Sequence, residues 1–294
     1  KAIQASIDHG VDAIDTAPIY GCGHSETIVG QAIRGRRDKV KLLTKCGLRW
    51  DDTTGEYYFK IAAPSGAEVV CYKNVRADSI AHECEQSLRR LRTEAIDLYQ
   101  IHWPSASASA EETMGALLTL KAQGKIREIG VCNYTGSQIA EAFGCAPVVS
   151  DQVKYNLLER DIEKDALPHC RRNGIGVIAY SPMALGLLSG KVTMDRPFPA
   201  TDIRTNHPWY QPANRKRVLE CLEKVRPVAD AHGLSLAQLA VAWVIAQPGV
   251  TTALVGARNA TQAAENAAAA DCTLKPDELA LIRSTFEALG GPVT

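Results

Sequence analysis

The chain has 294 residues, in which 33 Lys and Arg balance 33 Asp and Glu, and 46% of the residues are hydrophobic. These proportions are typical of a soluble globular protein and exclude a disordered chain. The net charge of zero argues against a surface that binds nucleic acid or anionic lipid, because both require a basic excess. We therefore expect a small-molecule partner, with no nucleic acid and no membrane.

The apolar segments and the cysteines indicate the cellular setting. No stretch approaches the roughly 18 apolar residues of a membrane span, and the first ten residues lack the apolar core of a signal peptide. We expect a cytoplasmic protein. The nine cysteines are an odd number without a C-x-x-C pair, a pattern that fits neither a disulfide framework nor a zinc site. We expect no metal.

Short segments rich in Val and Ile alternate along the chain with segments of helical period. The predicted strands are, in chain order, VDAIDT, VKLLTK, AIDLYQIH, IREIGVC, VVSDQV, IGVIAYS and TTALVG. Helix starts are predicted at the capping boxes that begin with Ser109, Thr135 and Ser235, and helix ends at Gly124, Gly144, Gly174 and Gly233. Strands this apolar, each followed by a helix, are typical of a parallel sheet that is buried on both faces.

This alternation predicts the α/β class and a (β/α)8 TIM barrel, built as a single domain over residues 1–294. Seven strands are visible, and the chain opens on a helical segment, so we expect the first strand to lie upstream of Lys1. A doubly wound open sheet would carry a Gly-rich fingerprint after its first strand. The nearest candidate, GCGHSE, has Glu26 where the third glycine belongs.

Two connections exceed the usual loop length, residues 47–77 and 189–214. The first contains Trp50, Tyr57, Tyr58, Phe59 and Tyr72, and it follows the strand that ends in Lys45. We expect it to be a substrate lid, and the alternative is a structural hairpin that covers the bottom or side of the barrel.

The active site of a βα barrel lies at the carboxyl ends of its strands. Asp15, Lys45 and His102 stand at the ends of three consecutive strands, and Tyr20 follows the first of them closely. Each of these side chains, taken alone, has a structural interpretation as a helix cap, a turn anchor or a core residue. A purely structural role is least convincing for Lys45, because Lys is rarely buried without a partner. An ammonium beside a phenol favours the phenolate and lowers its pKa from about 10, which makes a usable general acid.

With these residues in this order, the sequence resembles the aldo-keto reductase family. The resemblance lies in seven ordered blocks between about residues 8 and 267: DTAPIYGCGHSE, TKCGLRW, IDLYQIHWP, GKIREIGVCNY, QVKYN, AYSPMALGLLSGK and VGARNATQAAEN. Two departures are Cys132, where the family more often has Ser, and Tyr134, where Phe is commoner.

The resemblance implies a catalytic tetrad of Asp15, Tyr20, Lys45 and His102. In this assignment Tyr20 gives a proton to the substrate carbonyl oxygen while a nicotinamide cofactor delivers hydride to the carbon. Lys45, kept charged by Asp15, tunes Tyr20, and His102 orients the carbonyl oxygen. The chemistry requires no metal.

The resemblance also implies a binding site for the cofactor. Asn133 and Gln152 face the nicotinamide carboxamide, whose donor and acceptor their amides match, and Tyr180 stacks on the ring. The residues expected along the pyrophosphate are Ser181, Pro182, Leu185 and Gly186, with positive charge from Lys191 and Arg204. Those expected at the adenosine end are Gly256, Arg258, Gln262, Glu265 and Asn266, where a helix that starts near Asn259 favours anions.

Trp50, Trp103 and Tyr134 lie just beyond strand ends, and we expect them to line a pocket for a small carbonyl or polyol substrate. The preferred cofactor is NADP(H), since Arg258 suits a 2′-phosphate, with NAD(H) also open because Glu265 opposes that preference. Two other classes stay open: a cofactor-binding regulatory subunit that resembles potassium-channel β subunits, and a Schiff-base barrel enzyme that uses Lys45.

Overall fold

The structure is a computed structural model that describes residues 1–293. Seven of its strands form one sheet in the order β1-β2-β6-β7-β8-β9-β10. These strands are β1 (Ala13–Asp15), β2 (Lys41–Cys46), β6 (Ile96–Ile101), β7 (Ile126–Cys132), β8 (Val148–Lys154), β9 (Gly176–Tyr180) and β10 (Val250–Leu254). The pairs β1–β2, β2–β6, β6–β7 and β7–β8 are parallel, as the sequence predicts.

One helix precedes β1, and the other helices lie between or after the strands of the sheet. They are α1 (Ala2–Asp8), α2 (His24–Ala32), α3 (Ala77–Leu91), α4 (Ala110–Ala122), α5 (Gly136–Cys145), α6 (Ala166–Asn173), α7 (Pro212–Ala231), α8 (Leu236–Ile245), α9 (Ala260–Ala267) and α10 (Pro276–Leu289). Complete capping boxes start α5 at Thr135 and α8 at Ser235, while Ser109 caps α4. Gly144 does not end a helix, because α5 continues through it to Cys145.

The long connection 47–77 is an ordered antiparallel sheet. Its strands are β3 (Leu48–Arg49), β4 (Glu56–Ala62) and β5 (Glu68–Lys73), in the order β3-β5-β4. Residues 63–67 form the tight turn between β4 and β5, where Ala63 N donates to Ala67 O. Here the structure agrees with the hairpin interpretation in its architecture, whereas the role of a substrate lid stays a prediction.

The described chain divides into two compact units. The first unit contains Lys1–Val153 and Lys164–Val177, and the second contains Lys154–Glu163 and the residues from Ile178 onward. Buried Val, Ile and Leu of β2, β6 and β7 and of α3–α5 make the core of the first unit. The core of the second unit is a cluster around Trp243, Leu239, Val225 and Ile282. The organisation as a single domain stays a prediction.

Within residues 1–293, no single helix is both long enough and apolar enough to cross a membrane. The helices α7 and α8 meet that test only as a pair, and they are bent by 83° at the break between them.

Candidate active site

A tight turn after β1 presents Tyr20. Gly23 N donates to Pro18 O at 2.7 Å, and Cys22 N donates to Ile19 O at 3.3 Å, so the chain reverses within six residues. Gly21 and Gly23 adopt φ of 61° and 87°, left-handed values that glycine reaches without the steric cost of a Cβ. The turn leaves 44% of the Tyr20 surface exposed, so that a ligand can reach it.

A buried ion pair fixes the helix that follows this turn. Glu26 in α2 is inaccessible to solvent, accepts a hydrogen bond from Thr44 Oγ1 at 2.6 Å and pairs with Arg90 Nε of α3 at 2.7 Å. Thr16 Oγ1 and Ser25 Oγ lie 2.8 Å apart across the turn. These contacts join the two ends of the Tyr20 turn to each other and, through Glu26, to β2, the strand that carries Lys45.

Lys45 is fully buried and bonded on two sides. Its Nζ donates to Asp15 Oδ2 at 2.6 Å and to Thr16 O at 2.9 Å. Burial alone would lower the pKa of Lys45, but the charge and hydrogen bond of Asp15 outweigh burial and raise it above the usual value. Lys45 therefore carries its charge in the folded protein, and its Nζ lies 5.3 Å from the centre of the Tyr20 ring.

A second hydrogen bond orients Asp15, and it comes from Gln152. Gln152 Nε2 donates to Asp15 Oδ1 at 2.9 Å and to Gln100 Oε1 at 3.3 Å. Gln100 stands opposite both Lys45 and Gly130 in the sheet register. A Cβ at Gly130 would lie 2.6 Å from Ser150 Oγ and 3.0 Å from Gln100 Cγ, so only glycine leaves room for this buried amide pair.

This geometry changes the expectation for Gln152. The sequence predicts that both its amide donor and its acceptor face a carboxamide, but the structure uses the donor on Asp15 and Gln100. The oxygen of the amide remains as the group that can accept from a ligand. Asn133, at the end of β7, has φ of 61°, and its Nδ2 donates to His102 O at 3.1 Å.

His102 is a neutral imidazole. Burial, and then the charge of Lys45, lower its pKa well below 6.5. Its ring meets the Tyr20 ring edge to face, with the centroids 5.7 Å apart. His102 N donates to Cys46 O at 2.9 Å, which fixes the backbone against β2. A neutral imidazole beside the phenol can donate a hydrogen bond without competing for the proton of Tyr20.

The pKa of Tyr20 differs in direction from the sequence expectation. Although part of the side chain is exposed, the protein atoms around Tyr20 raise its pKa by desolvation more than the charge of Lys45 lowers it, so that the pKa lies above its ordinary value of 10.0. The Tyr20 hydroxyl is therefore protonated at neutral pH. Such a group is a proton donor, and it becomes a base only under alkaline conditions.

Trp50 and Trp103 share one hydrophobic cluster beside the Tyr20 turn. Both pack against the cluster formed by Ala17, Ile19, Leu48 and Cys71, as do the aromatic side chains Tyr58 and Phe59 of the β4–β5 hairpin. Tyr134 lies at the end of β7, and burial raises its pKa. Two of the three predicted substrate residues are thus brought together with the residues that flank Tyr20.

In the second unit, the segment after β9 has an unusual backbone. Ser181, Ala184, Leu185 and Gly186 have φ between 47° and 97°. For the three residues other than glycine, this conformation costs of order 1–3 kcal/mol each, and such residues cluster at functional sites. Tyr210 stabilises them, since its hydroxyl donates to Leu185 O at 2.9 Å. Tyr180 and Pro182 belong to the same stretch, and a Cβ on Gly186 would meet no atom within 4 Å.

Three of the four predicted charged residues of this unit, namely Lys191, Arg204 and Glu265, have protein partners. Arg204 binds Asp202 through two hydrogen bonds of 2.9 and 2.6 Å, and its guanidinium lies 4.4 Å from the Phe198 ring centre. Lys191 lies 3.9 Å from Glu265, and both side chains are largely exposed. The charge of Arg204 is therefore largely compensated, while Lys191 and Glu265 are weakly paired.

The helix α9 begins where the sequence predicts. Asn259 caps it by accepting from Gln262 N at 2.9 Å, and Gln262 Oε1 accepts from Arg258 N at 3.0 Å. Asn266 Nδ2 donates to Gly256 O at 3.2 Å, which closes the loop onto the helix. The side chain of Arg258 is exposed at the start of the helix.

Sequence reasoning missed several residues that build these sites: Gln100, Glu26, Arg90, Asn156 and Tyr210. Gln100 carried a signal, since a polar side chain in an apolar strand requires a partner. Asn156 Nδ2 donates to Ser181 O at 3.1 Å, a contact across 25 residues that no local pattern encodes. Among residues 1–293, no group of three or more His, Cys, Asp or Glu side chains is arranged to hold a metal ion.

Known proteins resemble this chain along nearly its whole length. A sequence model described as "Aldo/keto reductase family" matches residues 1–287. The NADH-specific methylglyoxal reductase of Escherichia coli (strain K12) is 37% identical over 284 residues, which are 95% of this chain and 85% of that protein.

Two solved structures extend the comparison. The glycerol dehydrogenase AKR11B4 from Gluconobacter oxydans superposes with a TM-score of 0.90 at 35% identity, covering 100% of this chain and 86% of that one. An aldo/keto reductase from Klebsiella pneumoniae in complex with NADP and acetate gives a TM-score of 0.72 at 32% identity, covering 97% and 83%. The first match confirms the predicted (β/α)8-barrel class.

Proposed function

Because the chain belongs to the aldo/keto reductase family, we propose that it transfers hydride between a nicotinamide dinucleotide and the carbonyl or hydroxyl carbon of a small aldehyde, ketone or sugar. One observation carries the proposal. A buried ammonium, Lys45, is held charged by Asp15 at 2.6 Å and lies 5.3 Å from the ring of an accessible phenol, Tyr20. This arrangement supports proton transfer to and from an oxygen that reaches Tyr20.

In the reductive direction Tyr20 donates its proton to the carbonyl oxygen as negative charge develops there. Lys45 stabilises the phenolate that remains, because hydrogen bonds to Asp15 and to Thr16 O keep its ammonium group charged and in place. His102 is neutral and orients the same oxygen by a hydrogen bond. A bound nicotinamide dinucleotide would supply the hydride that the carbonyl carbon accepts.

The residues present fit such a dinucleotide. In the first unit, Gln152 retains an amide oxygen, and Asn133 is held beside it by the hydrogen bond from Asn133 N to Gln152 O at 3.0 Å. In the second unit, the left-handed residues Ser181, Ala184, Leu185 and Gly186 and the N-terminus of α9 are features that suit phosphates. The backbones of Gly186 and Gly256 face open space. Tyr180, Pro182, Leu185, Lys191, Arg204, Glu265 and Asn266 stay proposed contacts.

We favour NADP(H) over NAD(H), while expecting both to be used. The exposed Arg258 at the start of α9 supports recognition of a 2′-phosphate, as does the relative crystallised with NADP. Glu265, and the relative named as NADH-specific, favour NAD(H). The pairing of Lys191 with Glu265 reduces the repulsion that this carboxylate would exert on a phosphate.

The substrate class is supported by the aromatic surface beside Tyr20 and by the names of two relatives. One relative is a glycerol dehydrogenase and the other a methylglyoxal reductase, and both names specify three-carbon substrates. We propose that a small polyol or hydroxy- or oxo-aldehyde is the substrate. Schiff-base chemistry at Lys45 is disfavoured, because a nucleophilic amine requires a lowered pKa and here the pKa is raised.

The test is a screen of cofactor oxidation and reduction at 340 nm with the full chain. NADPH and NADH are paired with glyceraldehyde, methylglyoxal and a panel of aldehydes, ketones and sugars, and NADP+ and NAD+ with glycerol and other polyols. We expect turnover in both directions. Tight cofactor binding without turnover of any compound would instead indicate a regulatory subunit and overturn the proposal.

A further inference from the structure

The β4–β5 hairpin is attached to the segment that follows His102. Lys73 Nζ donates to Pro104 O at 3.2 Å, and Glu56 Oε1 accepts from Ala106 N at 2.8 Å. Just beyond the hairpin, Val75 N donates to Ser107 Oγ at 2.9 Å. Two hydrogen bonds from the hairpin and one from the residue Val75 just beyond it therefore fix residues 104–107, the continuation of β6 beyond the catalytic imidazole.

Lys73 also lies against two aromatic rings. Its ammonium is 4.6 Å from the centre of the Tyr58 ring and 5.7 Å from that of Trp103, and the two rings are 5.8 Å apart. Lys73 is half-buried, so water screens these contacts less than it would on an open surface. The ammonium thus joins the hairpin to Trp103 through the ring faces and through the adjacent backbone oxygen.

Trp103 lies beside the segment that leads into Tyr20. It follows His102 directly in the chain, and it packs against the hydrophobic cluster that contains Ala17 and Ile19, two residues that precede Tyr20. An indole held in one orientation offers a fixed apolar face to the part of a substrate that does not react. A mobile indole would have to be ordered again by each substrate, at a cost in affinity.

We propose that Lys73, supported by Glu56, is a specificity-determining positioning residue that fixes Trp103 and the segment 103–107 for substrates that extend beyond the carbonyl group. The inference rests on the proposed function, because it assumes that the carbonyl reacts at Tyr20. Substrates with a ring or a long apolar chain would depend on Lys73. Three-carbon aldehydes, which end near the reacting atoms, would depend on it little.

The decisive variant is Lys73→Met, which keeps most of the length of the side chain and removes the charge. Its conservative partner is Lys73→Arg, whose cation can stack on the same rings. The matched control is Lys60→Met, in the same hairpin, where Lys60 is exposed and pairs with Glu68 at 2.8 Å. Circular dichroism and the melting temperature report whether each variant folds.

In steady-state kinetics with NADPH, Lys73→Met should raise KM for 4-nitrobenzaldehyde about tenfold, an effect of the size of a partly desolvated cation–π contact. KM and kcat for glyceraldehyde should stay within about twofold, an allowance for loss of an exposed contact. Lys73→Arg should restore most of the affinity for the aromatic aldehyde, and Lys60→Met should behave as wild type. Equal changes for both aldehydes, or no change for either, would overturn the proposal.

A second readout does not require turnover. Acrylamide quenching of tryptophan fluorescence is measured for each variant with Trp103 present and with Trp103→Phe, and the difference reports on Trp103. Lys73→Met should make Trp103 more accessible to the quencher, whereas Lys60→Met should not. If no substrate is turned over, the proposed function fails, but this difference still decides whether Lys73 positions Trp103. Unchanged quenching in Lys73→Met would refute that role.

Discussion

Replacing Asp15 with Asn tests the buried ion pair on which the site depends. Lys45 Nζ lies 2.6 Å from Asp15 Oδ2, with none of the lysine side chain exposed and 11% of the aspartate. Asn keeps the shape and can still accept from Lys45, but it removes the charge that keeps the ammonium stable in the interior. Removal of one partner from a buried pair costs about 3–5 kcal/mol. We expect a value near 3 kcal/mol, because Thr16 O still accepts from Lys45.

The full experiment is a double-mutant cycle of Asp15→Asn, Lys45→Met and the double variant. Lys45→Met leaves the Asp15 carboxylate with the hydrogen bond from Gln152 and should also destabilise the protein. The double variant removes both charges, so it should lose less stability than the sum of the two single variants, with a coupling of roughly 2–3 kcal/mol. Urea unfolding at pH 7, followed by circular dichroism, measures each free energy. Two results would show that the pair is not coupled as described. In the first, the losses of stability in the two single variants add up to the loss in the double variant. In the second, the stability of Asp15→Asn is within about 0.5 kcal/mol of wild type, which is the usual size of additivity errors.

Three further predictions concern pH and the cofactor. Carbonyl reduction requires a protonated Tyr20, whose pKa lies above 10.0, and a neutral His102, whose pKa lies well below 6.5. We therefore expect kcat/KM for reduction to be independent of pH from 6.5 to about 9, an interval between these two values. An inflection near pH 6.5 would argue against a neutral His102. Glu163 is held by Arg160 and Arg283, and its pKa is lowered from 4.5 to about 2. At 1.36 kcal/mol per pKa unit, this shift contributes about 3 kcal/mol to the free energy of unfolding. The contribution is present above pH 4.5 and is lost as the pH falls toward 2. The stability difference between wild type and Glu163→Gln should accordingly shrink between pH 6 and pH 3 in urea unfolding, and a constant difference would contradict the assignment. In fluorescence titrations, Arg258→Ala should weaken NADPH binding by about one to two decades, the equivalent of 1.5–3 kcal/mol for a charged hydrogen bond. Its affinity for NADH should stay nearly unchanged. Equal losses of affinity for both cofactors would show that Arg258 does not recognise the 2′-phosphate.

The strands and helices could be predicted from the sequence where local patterns determine them. Thr135 and Ser235 start α5 and α8 as their capping boxes predict, because the residues that make a box lie within one turn. Gly144 was a wrong helix end, since glycine marks an end only where the backbone turns left-handed, and that glycine stays inside α5. For the segment 47–77 the sequence allows a substrate lid or a structural hairpin; the structure shows an antiparallel sheet there, and the role of a lid stays a prediction.

The candidate site was predictable in its members and less so in its contacts. Asp15, Tyr20, Lys45 and His102 lie together as the strand ends predict. The bond between Gln152 and Asp15, however, joins residues 137 apart in the chain, and strand order alone does not determine which amide atom is used. The pKa of Tyr20 depends on the sum of the protein atoms around it, a tertiary quantity, and so burial could outweigh the effect of Lys45 that the sequence indicated.

The central claim is that Tyr20 donates the proton, and Tyr20→Phe tests it most directly. Single-turnover reduction of an active aldehyde by bound NADPH should slow by about 10²- to 10⁴-fold, the contribution of a general acid, while the Kd for NADPH from fluorescence titration stays unchanged. The matched control is Tyr57→Phe, which removes the hydroxyl of a tyrosine that is 62% exposed in β4, and it should react at the wild-type rate. If Tyr20→Phe reduced every active aldehyde as fast as the wild type, Tyr20 would not be the proton donor and the assignment of this site would be wrong.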